Sequence, residues 1–387
     1  MLVLFVLFGI GVAIFVIQNA EEVRDVIIPT PTPEPTRSAA EYALLASLSA
    51  EDGEIEQAIE FYETAIELDT TKPQIFIDLI ELLIQAGEPE KALERAGQVS
   101  IISPEDDIVW EVTAAAHIAN GDRFGDLGDV TAANIEYANA AQAARTALNL
   151  NAENANAYAY AAGGLILQGD PEFWAQAQEF ADTAVFLEPN NPIARFYMAT
   201  VFTNQGFYAA ALEQYQLGIE SNNELADLHI GLAYNYFGNG QLSDAIISFE
   251  DAIDVDPDNA YAYDGLAYMF LQLGDEPLAE QNALEAVRLN PNVARARGRL
   301  GEAYFRQNNY EKAVEQLEVA TQFYGEPTEL NVRFFNMLAT AYIRASFSNC
   351  EQAVPLFEDV IDVTFNELYI DNALDGIEEC RRETVGG

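Results

Sequence analysis

The sequence predicts an all-α fold, a right-handed solenoid of stacked helical hairpins. Three observations point there. The same residue types return every 34 residues over most of the chain, a period typical of stacked repeat arrays. Half of the residues are hydrophobic and 11% are aromatic, ample for a packed core and too apolar for a disordered acidic chain. The stretch from about Asn366 to Arg382 reads as one amphipathic helix with a polar back, suited to covering the exposed end of an array.

The N-terminal segment stands apart from that array. Met1 to Ile17 carries no polar side chain and would span about 26 Å as a helix, the short end of what crosses a bilayer core. A cleaved signal peptide would want a basic start and small residues before the cut, whereas nothing basic precedes the run and Gln18 stands near the expected site. Residues 1–20 are therefore expected to remain as a hydrophobic, transmembrane-type helix. The start resembles that of a pilin, whose mature chain opens directly on such a helix, but Phe5 stands where most pilins carry a Glu. Residues 21–38 read as a linker. Pro29, Pro31, Pro33 and Pro35 alternate with Thr30, Thr32, Glu34 and Thr36, each Pro fixing φ and removing a donor, so the stretch is extended and semi-rigid.

The array proper begins near Ala39. Leu232-Ala233 and Tyr236 are followed by Gly240, Ala245, Phe249, Ala252 and Pro257. Thirty-four residues on, Leu266-Ala267 and Phe270 are followed by Gly274, Ala279, Ala283, Ala286 and Pro291. Met198-Ala199 and Leu300-Gly301 open the same pattern on either side. This pattern resembles the tetratricopeptide repeat, in which small residues let two helices approach, large ones fill the gap to the next repeat, and a Pro ends the second helix. The resemblance implies nine units: 39–72, 73–106, 107–154, 155–191, 192–225, 226–259, 260–293, 294–328 and about 329–363, with a capping helix and tail in 364–387.

Departures from the pattern are candidate functional features. The third unit carries about 14 extra residues beginning Asp122-Arg123-Phe124-Gly125-Asp126-Leu127-Gly128-Asp129, expected as a protruding contact loop, with calcium binding as the lesser reading. The fourth has three extra around Gly169-Asp170-Pro171. The position that is Trp in the family pattern reads Tyr42, Phe76, Trp110, Tyr158, Arg195, His229, Tyr263, Arg297 and Phe335; its three polar occupants suggest altered packing in the second half. The alternating Asp254, Asp256 and Asp258 are read as a solvated turn.

Chemistry is sparse. Lys plus Arg number 18 against 63 Asp plus Glu, a net charge of −45, which argues against nucleic acid or anionic lipid headgroups as a general partner. Two Cys and two His provide no zinc finger, four-Cys cluster or haem motif. His117 and His229 occupy helix-packing positions, and no nucleophile constellation is present, so no catalytic residue, metal ligand or cofactor is expected. In antiparallel hairpins of this family Cys350, at the start of one helix, would meet Cys380, at the end of the next. A disulfide is the favoured reading over two free thiols, and it implies an oxidising, extracytoplasmic location.

Five arginines crowd into 19 residues: Arg288, Arg295, Arg297, Arg299 and Arg306. In the family the first helix of each hairpin lines the concave groove, and Arg295 and Arg306 fall at groove-facing positions. A basic patch on so acidic a chain suits a carboxylate-rich partner, another copy of this chain included; pairing with Glu285 and Glu302 is the alternative. The implied function is non-enzymatic protein–protein interaction outside the cytoplasm, at the cell surface or beyond. In one version the chain is a structural subunit that assembles into a filament or appendage through its hydrophobic helix. In the other it is a membrane-anchored adaptor, held by residues 1–17, that binds a peptide or envelope protein in its groove.

Overall fold

The computed structural model describes residues 37–345 and 349–386. The expectations on residues 1–20 and on most of the linker lie outside these residues. Everything described is helix, turn or connection: nineteen α-helices and one 3-10 turn, with no strand. None of the described helices is long and apolar enough to cross a membrane.

The chain divides into two compact units, one ending at Thr70 and one running from Thr71 onward. The first contains a single hairpin, α1 (Ala39–Glu51) and α2 (Ile55–Leu68). Its start is set by Ser38, whose Oγ accepts from the Glu41 amide while the Glu41 carboxylate accepts from the Ser38 amide. That reciprocal cap satisfies two otherwise orphaned donors. The Ser38 amide bond also holds the Glu41 carboxyl below its ordinary pKa.

The second unit stacks eight hairpins and a cap. They are α3 (Pro73–Gln85) with α4 (Pro89–Ile102), α5 (Asp107–Asp126) with α6 (Val130–Leu150), and α7 (Ala155–Ile166) with α8 (Trp174–Leu187). Then come α9 (Pro192–Asn204) with α10 (Tyr208–Ser221), α11 (Ala226–Gly238) with α12 (Leu242–Val255), and α13 (Ala260–Leu273) with α14 (Glu276–Leu289). Last are α15 (Ala294–Arg306) with α16 (Tyr310–Tyr324), α17 (Val332–Arg344) with α18 (Cys350–Val363), and the cap α19 (Glu367–Gly386). Each second helix packs on its own first helix and on the next one, and successive first helices also touch one another. The first helices therefore form the continuous inner wall.

The repeating residues explain the spacing. Ala245, Ala279 and Ala313 are fully buried at the helix crossings, where a larger side chain would push the hairpin apart. A Cβ on Gly265 would lie 2.2 Å from the buried Phe249 ring, so only glycine permits that approach. Within the hairpins the turn falls on a left-handed residue, such as Gly240 with φ 79°; in the eighth hairpin Asn308 takes that role at φ 60°. Between hairpins, Asn154, Asn191 and Asn259 cap the next first helix by accepting its early amides.

Two expectations are corrected here. The Asp122–Asp129 stretch is not a protruding loop. The extra residues lengthen both helices of the third hairpin to 20 and 21 residues, against 13 or 14 in most of the others. Helix through Asp126 also removes the loop geometry that a calcium site requires. At the Trp-type position the two arginines keep a hydrogen bond that tryptophan also makes. The Trp110 indole donates to the Pro104 carbonyl at 2.9 Å, the Arg195 Nε to Pro189 at 2.8 Å and the Arg297 Nε to Pro291 at 2.9 Å. A planar N–H group reaches the carbonyl six residues earlier in all three. The extra residues of the fourth hairpin form the 3-10 turn Pro171–Phe173, capped by Asp170.

Candidate interaction surface

The inner wall is polar and aromatic where hairpins two to eight face one another. Asn154 and Asn156 both donate to the buried Glu111 carboxylate at 2.8 Å, and Asn191 donates to Asn156 at 2.7 Å, tying α5, α7 and α9 along one edge. Burial raises the Glu111 pKa, with those amides pulling it part of the way back. Burial likewise raises the Tyr160 and Tyr197 hydroxyls.

Farther along, α13 and α15 carry the charged core of the wall. Asp264 is 1% exposed and binds two guanidinium groups through Oδ2, Arg295 Nε at 2.7 Å and Arg299 Nη1 at 2.5 Å. Arg299 also donates to the Asp264 carbonyl and lies over the Tyr268 ring. Arg306 pairs with Glu302 at 2.5 Å and donates to the Leu271 carbonyl. Arg297 donates to Gln316 besides Pro291. Arg288 pairs with Glu285 on the outer helix α14. All five arginines thus have partners within the chain. The structure places Arg295, Arg299 and Arg306 together on the inner wall and leaves Arg288 apart from them.

Asp264, Tyr261, Asp122 and Asp126 matter here and carry no repeat signature. One signal was available for Asp264. The positions 34 residues before and after it are Ile230 and Gly298, so a charged residue there is out of pattern and demands a buried partner.

At the other end, Cys350 and Cys380 form a disulfide, joining the start of α18 to the cap α19. The cap buries Ala373, Ile377 and Cys380 against α17 and α18. An open depression of about 720 Å³ lies between α16, α17 and α18, lined by Glu318, Thr321, Phe335, Leu338, Tyr342 and Pro355. His117 Nδ1 lies 2.6 Å from Glu136 within the third hairpin, and His229 is buried in α11. Among the described residues no three His, Cys, Asp or Glu side chains are placed to hold a metal ion.

Comparison with known proteins agrees with this architecture. Tetratricopeptide repeat profiles match residues 49–116, 230–292 and 277–326. The chain carries tetratricopeptide repeats. It is 24% identical over 174 residues to the TPR repeat-containing protein YpiA of Bacillus subtilis, covering 44% of this chain and 40% of that one. It is 32% identical over 108 residues to the formate-dependent nitrite reductase complex subunit NrfG of Escherichia coli O157:H7, covering 28% and 54%. It is 27% identical over 103 residues to the type IV pilus assembly protein PilF of Pseudomonas aeruginosa, covering 27% and 41%. The chain therefore spans about half or less of the curated relatives it matches. Among solved structures, human IFIT1, in a dimer with PPP-AAAA, superposes with a TM-score of 0.61 at 16% identity over 91% of this chain and 92% of that one. The APC/C hetero-tetramer Cut9–Hcn1 gives 0.58 at 12% identity over 94% and 81%. At such identities the likeness is one of fold.

Proposed function

We propose that this protein is a non-enzymatic scaffold that holds a segment of a protein partner against its inner wall. The observation that carries this reading is the continuous wall of first helices, α3 to α17, which presents tyrosines and carboxylates along its length. Backbone groups of the wall are used up within the helices, so recognition falls to these side chains. With Glu81, Asp122 and Asp227 exposed on the first helices and a net charge of −45, a partner segment bearing Lys or Arg is favoured. Two relatives bear the names of an assembly protein and a complex subunit, which is consistent with work done through partners. The Cys350–Cys380 disulfide supports an extracytoplasmic location.

Selection of peptides from a random display library against the full chain, followed by photo-crosslinking, tests the proposal. Binders should be basic, bind more weakly as salt rises, and crosslink to first helices. Crosslinks confined to second helices, or no binders at all, would overturn it. The other reading, a structural subunit assembling through residues 1–17, rests on residues outside those described. Regular filaments of the purified chain alone in electron micrographs would favour it instead.

A further inference from the structure

In a solenoid each repeat touches only its neighbours, so curvature is set by local interfaces alone. The third hairpin breaks that rule. Its extra turns carry the end of α5 and the start of α6 across to the seventh and eighth hairpins. The Tyr261 hydroxyl of α13 donates to the Asp126 carboxylate at 2.5 Å across 135 residues of sequence, and Arg295 of α15 stands 4.0 Å from the same carboxylate. Asp126 is only 6% exposed there. Gly128, in the turn between α5 and α6, packs directly on Tyr324 at the end of α16: a Cβ would lie 2.3 Å from the ring and 3.1 Å from the Tyr324 Cα. Asp122, one helical turn before Asp126, accepts from Tyr137 of α6 at 2.8 Å, which stiffens the tip.

The register of these contacts is regular. Asp227, Tyr261 and Arg295 are the second residues of α11, α13 and α15, spaced 34 apart. Asp122 is within electrostatic range of Asp227, while Asp126 meets Tyr261 and Arg295. The acidic tip thus lies along the N-terminal ends of successive first helices. Those ends carry the positive pole of the helix dipole and favour carboxylates.

We propose that the lengthened third hairpin is a latch, whose tip docks on the seventh and eighth hairpins and holds the second unit closed. Latched, the tip covers Tyr261 and takes up the free side of Arg295. Released, it exposes both, together with the inner wall between the third and eighth hairpins. A partner segment reaching that stretch must displace the tip; this consequence rests on the inner-wall reading above, whereas the latch itself does not.

Hydrogen exchange read by mass spectrometry on the full chain tests it, with three variants. Asp126→Arg sets two like charges together; Gly128→Leu collides with Tyr324; Tyr261→Phe removes one hydroxyl and keeps the ring. Amides 122–130 should exchange at least about tenfold faster in the first two variants and a few-fold faster in the third. Amides of α18 and α19, outside the stretch that the latch closes, should keep their rates. Unchanged exchange at the tip in Tyr261→Phe together with either of the others would overturn the latch. If Asp126→Arg or Gly128→Leu unfolds the chain, Tyr261→Phe decides alone. A latch confirmed in this way, with peptides that crosslink only to second helices, would leave the latch standing and remove the inner-wall function.

Discussion

Arg195 and Arg297 stand where Trp110 stands in the third repeat, and all three direct a planar N–H at the carbonyl of a proline six residues earlier. The position selects a flat donor on a long apolar stem, which arginine supplies as well as tryptophan. Arg297→Trp should therefore be tolerated, while Arg297→Leu should cost about 1 kcal/mol for the lost hydrogen bond, measured by urea denaturation of the two variants side by side. Asp122 offers a second test. Burial, helped by Asp126 and Asp227 and opposed by the Tyr137 hydroxyl, pushes its pKa from an ordinary 3.8 up to about 7. Between those values the folded chain holds a proton that the unfolded chain releases. Its contribution to stability is therefore fully present at the acid end and is lost as pH rises through about 7. Asp122→Asn keeps an acceptor for Tyr137 without the charge. Because Asp122 is exposed and partly screened by solvent, its gain in melting temperature over the parent should be only about a degree or two at pH 8 and close to nothing at pH 4, read by scanning calorimetry across that range.

Two elements depart from the plain hairpin, and each was differently legible. The cap α19 was readable as an amphipathic helix, and the facing cysteines followed from antiparallel packing. Its disulfide closes a loop over a sequence separation of 30, worth about 3 to 4 kcal/mol on the chain-entropy estimate. Replacing both cysteines by alanine should lower stability by roughly that amount and open α19 to limited proteolysis before any other helix is cut. The third hairpin was legible only in its length. Its glycines and aspartates read as a loop because Gly125 and Gly128 lower helix propensity and the aspartates favour turns. Tertiary contacts override that preference: Asp122 is held by Tyr137, Asp126 by Tyr261, and Gly128 is kept small by Tyr324. The arginine patch was likewise visible as a cluster but not as a set of internal pairs, because its main anchor, Asp264, lies on the preceding first helix.

Across the whole molecule the dominant long-range force is self-repulsion. A net charge of −45 on 387 residues leaves most acids without a cation to face. Screening relieves that repulsion faster than it weakens the few buried pairs, so the melting temperature should rise between about 20 and 200 mM sodium chloride. A fall over that range, measured by differential scanning fluorimetry, would mean that surface ion pairs outweigh the net charge.

The sequence by itself determined the all-helical repeat, its 34-residue spacing, the hairpin boundaries and the capped end. These follow from contacts within a repeat and to the next one, so every period states them again in the same residue types. Which residues meet across five hairpins was decided only by the tertiary structure. The small rotation from each hairpin to the next accumulates until the tip of the third reaches Tyr261, Arg295 and Tyr324, and no local pattern expresses that sum. The arginines that read as a site for carboxylate partners are likewise held by the chain's own groups, Arg295 and Arg299 by Asp264 on the neighbouring first helix.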